Sequence, residues 1–475
     1  MISENYLRLF YLSLMYFREK HYGIISHKRA FQRFAFDKLE SINIESFDRL
    51  RKMIHHAYHT SPYYLELWKK IGFKPELFRA PEDIKELPFL TKDIIEKEKN
   101  RMISERFVND NLELSYTGGS SGTPTSFYRN REATAQRIGR QLGILELCGY
   151  SVGDRCGLIW GAHQDIGDTH SALTLKGRLK KFLNAKEVLN CSVMNSESMR
   201  DYHEKLKRFK PRILYGYPNA MSQFANFIEE NNLEKIKVNT IISTAERLSE
   251  DQRKLFQDVF EGEVYNLYCT REHGCIGFEC RDHNGFHIDT GSVYLEIVTN
   301  GRVVNDGETG DIVVTDLLNY GMPFIRYEIG DRGSISPEPC SCGCKLPLLS
   351  RLDGRISDML YRPDGSLVAG IMLIDLFLNE PAIRNIQIVQ DSLHEVDLFV
   401  VVADKFIEEH KAKAVKRMGE YLGEGVKVNV RVVSEIPRNP ISGKFQEVIS
   451  KVKPPLTRLN RVEDSSLPTG RQRSE

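Results

Sequence analysis

Long hydrophobic runs are missing from this sequence. No stretch reaches the roughly 20 apolar residues that a membrane-crossing helix needs, and the nearest candidate, Tyr6 to Phe17 (YLRLFYLSLMYF), is interrupted by Arg8. That segment reads as an amphipathic helix packed on the body of the protein. An excess of one charge is missing too. Lys and Arg total 66 against 65 Asp and Glu, so no overall field draws the chain to nucleic acid. Cysteine is sparse, with nine unevenly spaced residues in 475, which excludes the disulfide framework of a small secreted domain. No cleavable signal peptide opens the sequence, so a reducing cytoplasm is the expected compartment. The Gly-Lys-Ser/Thr ending of a Walker loop is also lacking, which counts against a P-loop ATPase.

What is present suits a globular chain with two or more domains, since 41% of the residues are hydrophobic and 28% charged. The most informative stretch is Tyr116 to Phe127, YTGGSSGTPTSF. It interleaves Gly118, Gly119 and Gly122 with Thr117, Ser120, Ser121 and Thr123. Glycine admits positive φ and close backbone approach, so N–H and O–H groups here could converge on an anion such as phosphate. A hairpin turn rich in glycine and serine is the alternative.

Residues 1–110 carry helical periodicity, as in FDRLRKMIHHAYHTSPYYLELWKKIGF, and form a helical lead-in. His55, His56 and His59 fall there at helical spacing, but no acidic or cysteine partner adjoins them, so they read as surface or capping residues. Beyond the glycine-rich stretch, the helical ATAQRIGRQLGILELCGY leads to short apolar runs, RCGLIWGA, ILYGYP and KVNTIISTAERL, separated by helices such as EDQRKLFQDVF. Such alternation predicts an α/β layer structure with ligands at the carboxyl ends of strands. The segment GEVYNLYCTREHGCIGFEC reads as a further strand running into polar residues, with Tyr268, Thr270 and Glu272 in its final turn. From Gly291 a β-rich alternation follows, with turns at Asn300-Gly301 and Asp306-Gly307, suggesting a meander or barrel-like subdomain. After Leu360, the strands IRNIQIVQ, EVDLFVVV and VKVNVRVV around the helix KAKAVKRMGEYLG predict a small α+β domain.

Five signals stand in order: the Gly/Ser/Thr stretch, STAE, YCTRE, RYEIGD followed by GRISD, and PRNPISGK. Together they resemble the AMP-forming adenylating enzymes, in the branch of phenylacetate–CoA ligases and CapK-like proteins, over nearly the whole chain. The resemblance implies that Thr117, Gly118, Gly119, Ser120, Ser121, Gly122 and Thr123 wrap the phosphates of ATP. It sets Tyr268 against adenine, Glu272 on Mg²⁺, and Ala245, Glu246 and Thr270 around the nucleotide. Asp331 would accept hydrogen bonds from the ribose hydroxyls, with Arg355 assisting. Lys444 matches the catalytic lysine, a cation placed where carboxylate meets α-phosphate. Arg271 stands where many relatives have Thr, and would contact phosphate as a charge-assisted donor. Ser357 stands where relatives place a hinge Asp. Trp160, His163, Tyr215, Gly216, Tyr217 and Pro218 would line the acyl pocket.

The cysteines add a separate constellation. Cys340, Cys342 and Cys344 crowd into five residues, and Cys280, His283 and His287 lie upstream. Such soft ligands suit tetrahedral zinc. Some members of the branch hold a structural zinc, and on that match the ligands are Cys280, His287, Cys340 and Cys342, with His283 and Cys344 as substitutes.

The resemblance implies an adenylation domain over residues 1–353, a small mobile domain over 354–456 carrying Lys444, and a disordered tail over 457–475. ATP, Mg²⁺, coenzyme A and zinc are the expected cofactors, and a small carboxylic acid is the expected substrate. The implied activity is that of an acid–thiol ligase. The CapK resemblance keeps a second acceptor open, an amine or hydroxyl of a sugar precursor in capsular or exopolysaccharide biosynthesis, with that pathway's enzymes as partners. A scaffold that binds nucleotide without turnover, and a homodimer, also stay open. No nucleic acid and no transmembrane segment are expected.

Overall fold

The computed structural model describes residues 23–107, 112–116, 125–161, 185–191, 194–355, 359–364, 367–369, 373, 377, 382–402, 408–423, 425–437 and 446–452. The Tyr6–Phe17 segment, the glycine-rich residues 117–123, His163, Ser357, Lys444 and the tail 457–475 lie outside them. The chain divides into two compact units. One is drawn from Met1–Ile297, Asn305–Ile356 and Glu435–Gln446, the other from Val298–Val304, Ser357–Ser434 and Glu447–Glu475.

The first unit begins with the helical lead-in: α1 (Ile24–Ala35), α2 (Leu39–Thr60), α3 (Pro62–Lys70) and α4 (Lys92–Met102), with 3-10 turns at Pro75–Leu77, Pro81–Glu86 and Glu105–Phe107. Pro62 opens α3 where a missing N–H costs nothing, and the Thr91 hydroxyl caps α4 by accepting the Ile94 N–H at 3.3 Å. Leu50, Met53, Ile54 and Ala57 recur at helical spacing on α2. They bury with Tyr64 and Trp68 against Leu317, Phe324 and Tyr327.

A hairpin of β1 (Glu113–Tyr116) and β2 (Ser126–Arg129) follows, then α5 (Arg131–Leu147). Next come β3 (Cys156–Trp160), β4 (Lys186–Asn190), α6 (Ser196–Phe209), β5 (Ile213–Gly216), α7 (Pro218–Glu230), β6 (Thr240–Thr244), α8 (Glu250–Phe260) and β7 (Glu263–Thr270). Strands β3 to β7 are mutually parallel, with α6, α7 and α8 as the crossovers between β4 and β7. Their side chains alternate between two cores. Leu214 and Ile241 bury with Phe224, Phe256 and Phe260 of α7 and α8, whereas Ile213 and Ile242 bury with Phe31 of α1 and Ile144 of α5.

The β-rich segment supplies β8 (Gly274–Phe278), β9 (Phe286–Ile288), β10 (Val293–Thr299), β11 (Arg302–Val303), β12 (Gly310–Asp316), β13 (Tyr327–Ile335) and β14 (Leu348–Arg355). These strands continue the parallel sheet in one twelve-stranded ladder, β11-β10-β12-β13-β14-β9-β8-β7-β6-β5-β3-β4. Asn300 and Gly301 form the two-residue hairpin turn expected of them, with φ of 53° and 77° between paired Thr299 and Arg302. The YCTRE segment differs from its sequence reading. After Thr270 the chain reverses at once and returns as β8, antiparallel to β7, so Tyr268, Cys269 and Thr270 lie on the strand and only Arg271 and Glu272 in the hairpin turn.

The second unit holds a pair of short strands, β15 (Met359–Tyr361) and β16 (Leu367–Ala369). Its four-stranded sheet, in the order β19-β18-β17-β20, uses β17 (Ile383–Ser392), β18 (Glu395–Val402), β19 (Lys427–Val433) and β20 (Val448–Ser450). Ala414, Met418 and Leu422, one turn apart on α9 (Glu408–Leu422), bury against Ile388, Val396, Leu398 and Val400. The fold is α/β with a smaller α+β region, as the sequence indicates. Among the described residues no helix is long and apolar enough to cross a membrane.

Candidate functional site

Parallel strands share one carboxyl edge, and the motif residues collect there. Trp160 ends β3, Gly216 ends β5, Ala245 and Glu246 follow β6, and Arg271 and Glu272 follow β7. Ala245 turns the chain with φ of 70°, a left-handed conformation that costs a residue with a Cβ about 1–2 kcal/mol. Such strain accumulates where a site dictates the backbone. Glu246 Oε2 accepts the Asn219 N–H at 3.3 Å, next to the N-terminus of α7, where negative charge is favoured.

The aromatic residues expected around an acyl group meet on this rim. The ring centroids of Trp160 and Tyr217 lie 4.3 Å apart, and those of Trp160 and Tyr215 5.9 Å apart. Tyr217 is buried with the core of α7 and α8. Burial holds the Tyr215 phenol well above its usual pKa. Gly216 owes its identity to packing, because a Cβ there would come within 2.7 Å of the Ile159 carbonyl oxygen. Pro218 is the first residue of α7.

Tyr268 and Asp331 are brought together directly. The Tyr268 hydroxyl donates to Asp331 Oδ2 at 2.6 Å, and both residues are buried. In ladder order β7 and β13 stand four steps apart, which would separate them by about 19 Å in a flat sheet. Their contact requires the sheet to roll, which gives physical meaning to the barrel-like character of the β-rich segment. Arg355 stands opposite Asp331 in the β13–β14 register.

The exit of the glycine-rich stretch is anchored by α4. Thr125 Oγ1 donates to Glu96 Oε1 at 2.8 Å, and Lys99 Nζ donates to Ser126 Oγ at 2.6 Å. Thr270 is engaged within its own turn, its hydroxyl accepting the His273 N–H and lying 3.1 Å from His273 Nδ1. Burial pushes the His273 imidazole down to about 4 and the Arg129 guanidinium down to about 10. The sequence reading passed over Arg129, Arg137, His273, Asp316, Glu96 and Lys99, because nothing local distinguishes them from surface residues.

A second cluster forms a candidate metal site. Cys280, His287, Cys340 and Cys342 each offer a ligand atom, and these atoms all lie within 4.8 Å of one another. Cys280 Sγ is 3.6 Å from Cys340 Sγ, and Cys342 Sγ is 3.3 Å from His287 Nε2. Tetrahedral zinc with sulfur ligands needs sulfurs about 3.8 Å apart, so the donor set and spacing fit. Further hydrogen bonds orient the donors. The Asp282 N–H points at Cys280 Sγ and the Cys344 N–H at Cys342 Sγ, each at 3.4 Å, and His287 Nδ1 lies 3.2 Å from the Leu346 carbonyl. The two substitute ligands stand elsewhere. His283 Nδ1 sits 3.3 Å from both Glu279 and Arg253, and Cys344 is buried apart from the four. The histidines of α2 join no such group among the described residues: His59 Nδ1 lies 2.8 Å from the His55 carbonyl, and His56 Nε2 lies 2.8 Å from the Tyr320 carbonyl.

Residues 360–451 match the CapK C-terminal domain family. The chain is 23% identical over 417 residues to protein CapK of Staphylococcus aureus, covering 85% of this chain and 88% of that protein. It is 23% identical over 450 residues to the phenylacetate–coenzyme A ligase of Thermus thermophilus, covering 87% and 96%. A crystal structure of 2-hydroxyisobutyryl-CoA ligase in the postadenylation state superposes with a TM-score of 0.71 at 19% identity, covering 88% of this chain and 91% of that one. Over most of its length the chain is similar to CapK and the phenylacetate–coenzyme A ligases, and it shares the fold of 2-hydroxyisobutyryl-CoA ligase.

Proposed function

We propose that this protein activates a carboxylic acid with ATP, forming an acyl-adenylate and pyrophosphate, and passes the acyl group to a thiol, most simply coenzyme A. The observation that carries this reading is the gathering of Trp160, Ala245, Glu246, Arg271 and Glu272 on one carboxyl rim, joined to Asp331 by the Tyr268 hydrogen bond. In this reading Asp331 accepts hydrogen bonds from the ribose, with Arg355 beside it, and residues 117–123 hold the phosphates. Glu272 would hold Mg²⁺, which neutralises phosphate charge. Lys444 supplies the cation that stabilises charge as the carboxylate attacks the α-phosphate. Trp160, Tyr215 and Tyr217 suit a flat acid.

We place the adenylation domain at 1–353 and the small domain at 354–456, with 457–475 as a tail. A break between Ile356 and Ser357 supports the boundary near 354, whereas Glu435–Gln446, inside the proposed small domain, group with the first unit. The Cys280, His287, Cys340 and Cys342 group is assigned a zinc of structural type, because four protein donors leave no open position.

Exchange of labelled pyrophosphate into ATP, measured across a panel of carboxylic acids, tests the reading. Exchange is expected with at least one acid, and Lys444→Ala should reduce it by about 10²–10³-fold. No exchange with any acid, together with an unaffected Lys444→Ala variant, overturns it. The alternative reading keeps an amine or hydroxyl of a sugar precursor as the acyl acceptor in place of coenzyme A. Product analysis with coenzyme A and amino or hydroxyl sugars in competition separates the two.

A further inference from the structure

The turn that carries Glu272 is held by residues outside the five motifs. Arg129, at the end of β2, donates from Nη2 to the Arg271 carbonyl at 2.6 Å and lies over the Phe127 ring at 5.4 Å. On the far side of the turn, Gly274 adopts φ of 79°, and a Cβ there would meet the Arg137 side chain at 3.4 Å. Arg137 is itself fixed by an ion pair with Asp316, whose other oxygen accepts the N–H groups of Leu318 and Asn319. His273 closes the turn internally through Thr270. The peptide ahead of Glu272 therefore has an external anchor in Arg129. That anchor is on β2, whose opposite end, paired at Tyr116 and Ser126, is where the glycine-rich residues leave the hairpin.

An anchor of this kind links two parts that ATP chemistry must register against each other. Arg129 lies three strand positions from Ser126, about 10 Å along the hairpin. A guanidinium suits the task because one nitrogen can bond the carbonyl while its planar face stacks on the phenyl ring. We propose that Arg129 is a positioning residue that sets the Glu272 carboxylate at a fixed offset from the β1–β2 hairpin, and so couples metal binding to triphosphate binding. This inference rests on the reading of the site given above.

Titration calorimetry of ATP binding to the full-length protein, with Mg²⁺ and with EDTA, tests it. In the wild type Mg²⁺ is expected to tighten ATP binding. Arg129→Met should lose about tenfold in affinity with Mg²⁺ while staying within about twofold of the wild type in EDTA. Arg129→Lys, which keeps a donor but loses the planar stack, should fall between, at about threefold. A merely structural role would weaken both conditions equally. Equal loss in the two conditions, or unchanged Mg²⁺ dependence in Arg129→Met, overturns the inference. Should Arg129→Met fail to fold, an Arg129→Lys variant identical to the wild type overturns it. A wild type that binds no ATP in either condition overturns the functional reading as well, whereas normal wild-type binding with unaffected variants overturns this inference alone.

Discussion

Asp331 is a buried carboxylate whose Oδ2 accepts a hydroxyl donated from a strand four ladder steps away. A hydrogen bond to a charged acceptor contributes about 1.5–3 kcal/mol, and removing the donor leaves the acceptor desolvated. Tyr268→Phe should therefore lower stability by about 2 kcal/mol in denaturant unfolding, with the ring packing on Phe286 retained. ATP should recover part of that loss if ribose hydroxyls replace the missing donor. Tyr268, Asp331 and the zinc-type donors were legible because each lies inside a motif. Arg129 and Arg137 were not. Their partners, Arg271 and Asp316, lie 142 and 179 residues away, and only the folded chain converts a basic residue at a strand end or on a helix into a half-buried brace.

The crossover elements were the most legible, since their ends are written locally. The sequence marks EDQRKLFQDVF as a helix, and α8 spans Glu250–Phe260, started by a capping box between Ser249 and Gln252. The hairpin return after Thr270 was harder to see. Arg271, Glu272 and His273 are all polar, and polar residues after a strand signal a loop of any length. Ala245 shows how an element end can store strain. Ala245→Gly should raise stability by about 1 kcal/mol, because glycine adopts positive φ without the steric penalty. Thermal unfolding of the two proteins checks this, and a lower midpoint in the variant would contradict it. If the strained peptide helps set the pocket, the same substitution should weaken acid binding while stabilising the fold.

At the scale of the molecule, the four zinc-type donors tie the segment around β8 and β9 to the chain between β13 and β14. Their sulfurs and imidazole gain most of their stabilisation only when a cation is shared among them. Purified protein is expected to carry about one equivalent of zinc. Removal by a strong chelator, or Cys342→Ser, should lower the unfolding midpoint by about 5 °C or more. Metal-free protein with an unchanged midpoint would rule out a structural ion. The second unit's helix was readable from periodicity, since Ala414, Met418 and Leu422 fall on one helical face. The rolling of the sheet was not, because strand order across β8, β9, β14 and β13 is a property of long-range pairing.

The shared carboxyl edge of β3 to β7 has a bearing on how such a chain can change over time. The rim residues after β5, β6 and β7 follow directly from the ends of their own strands, while the turns that lead into the next strand, such as Asn231–Asn232 after α7, lie at the opposite edge. The length of those return turns is therefore free to drift without moving Trp160, Glu246 or Glu272. Under the function proposed above, residues on the rim can be exchanged one loop at a time, so that the choice of acid is rewritten while the ATP-binding residues are retained.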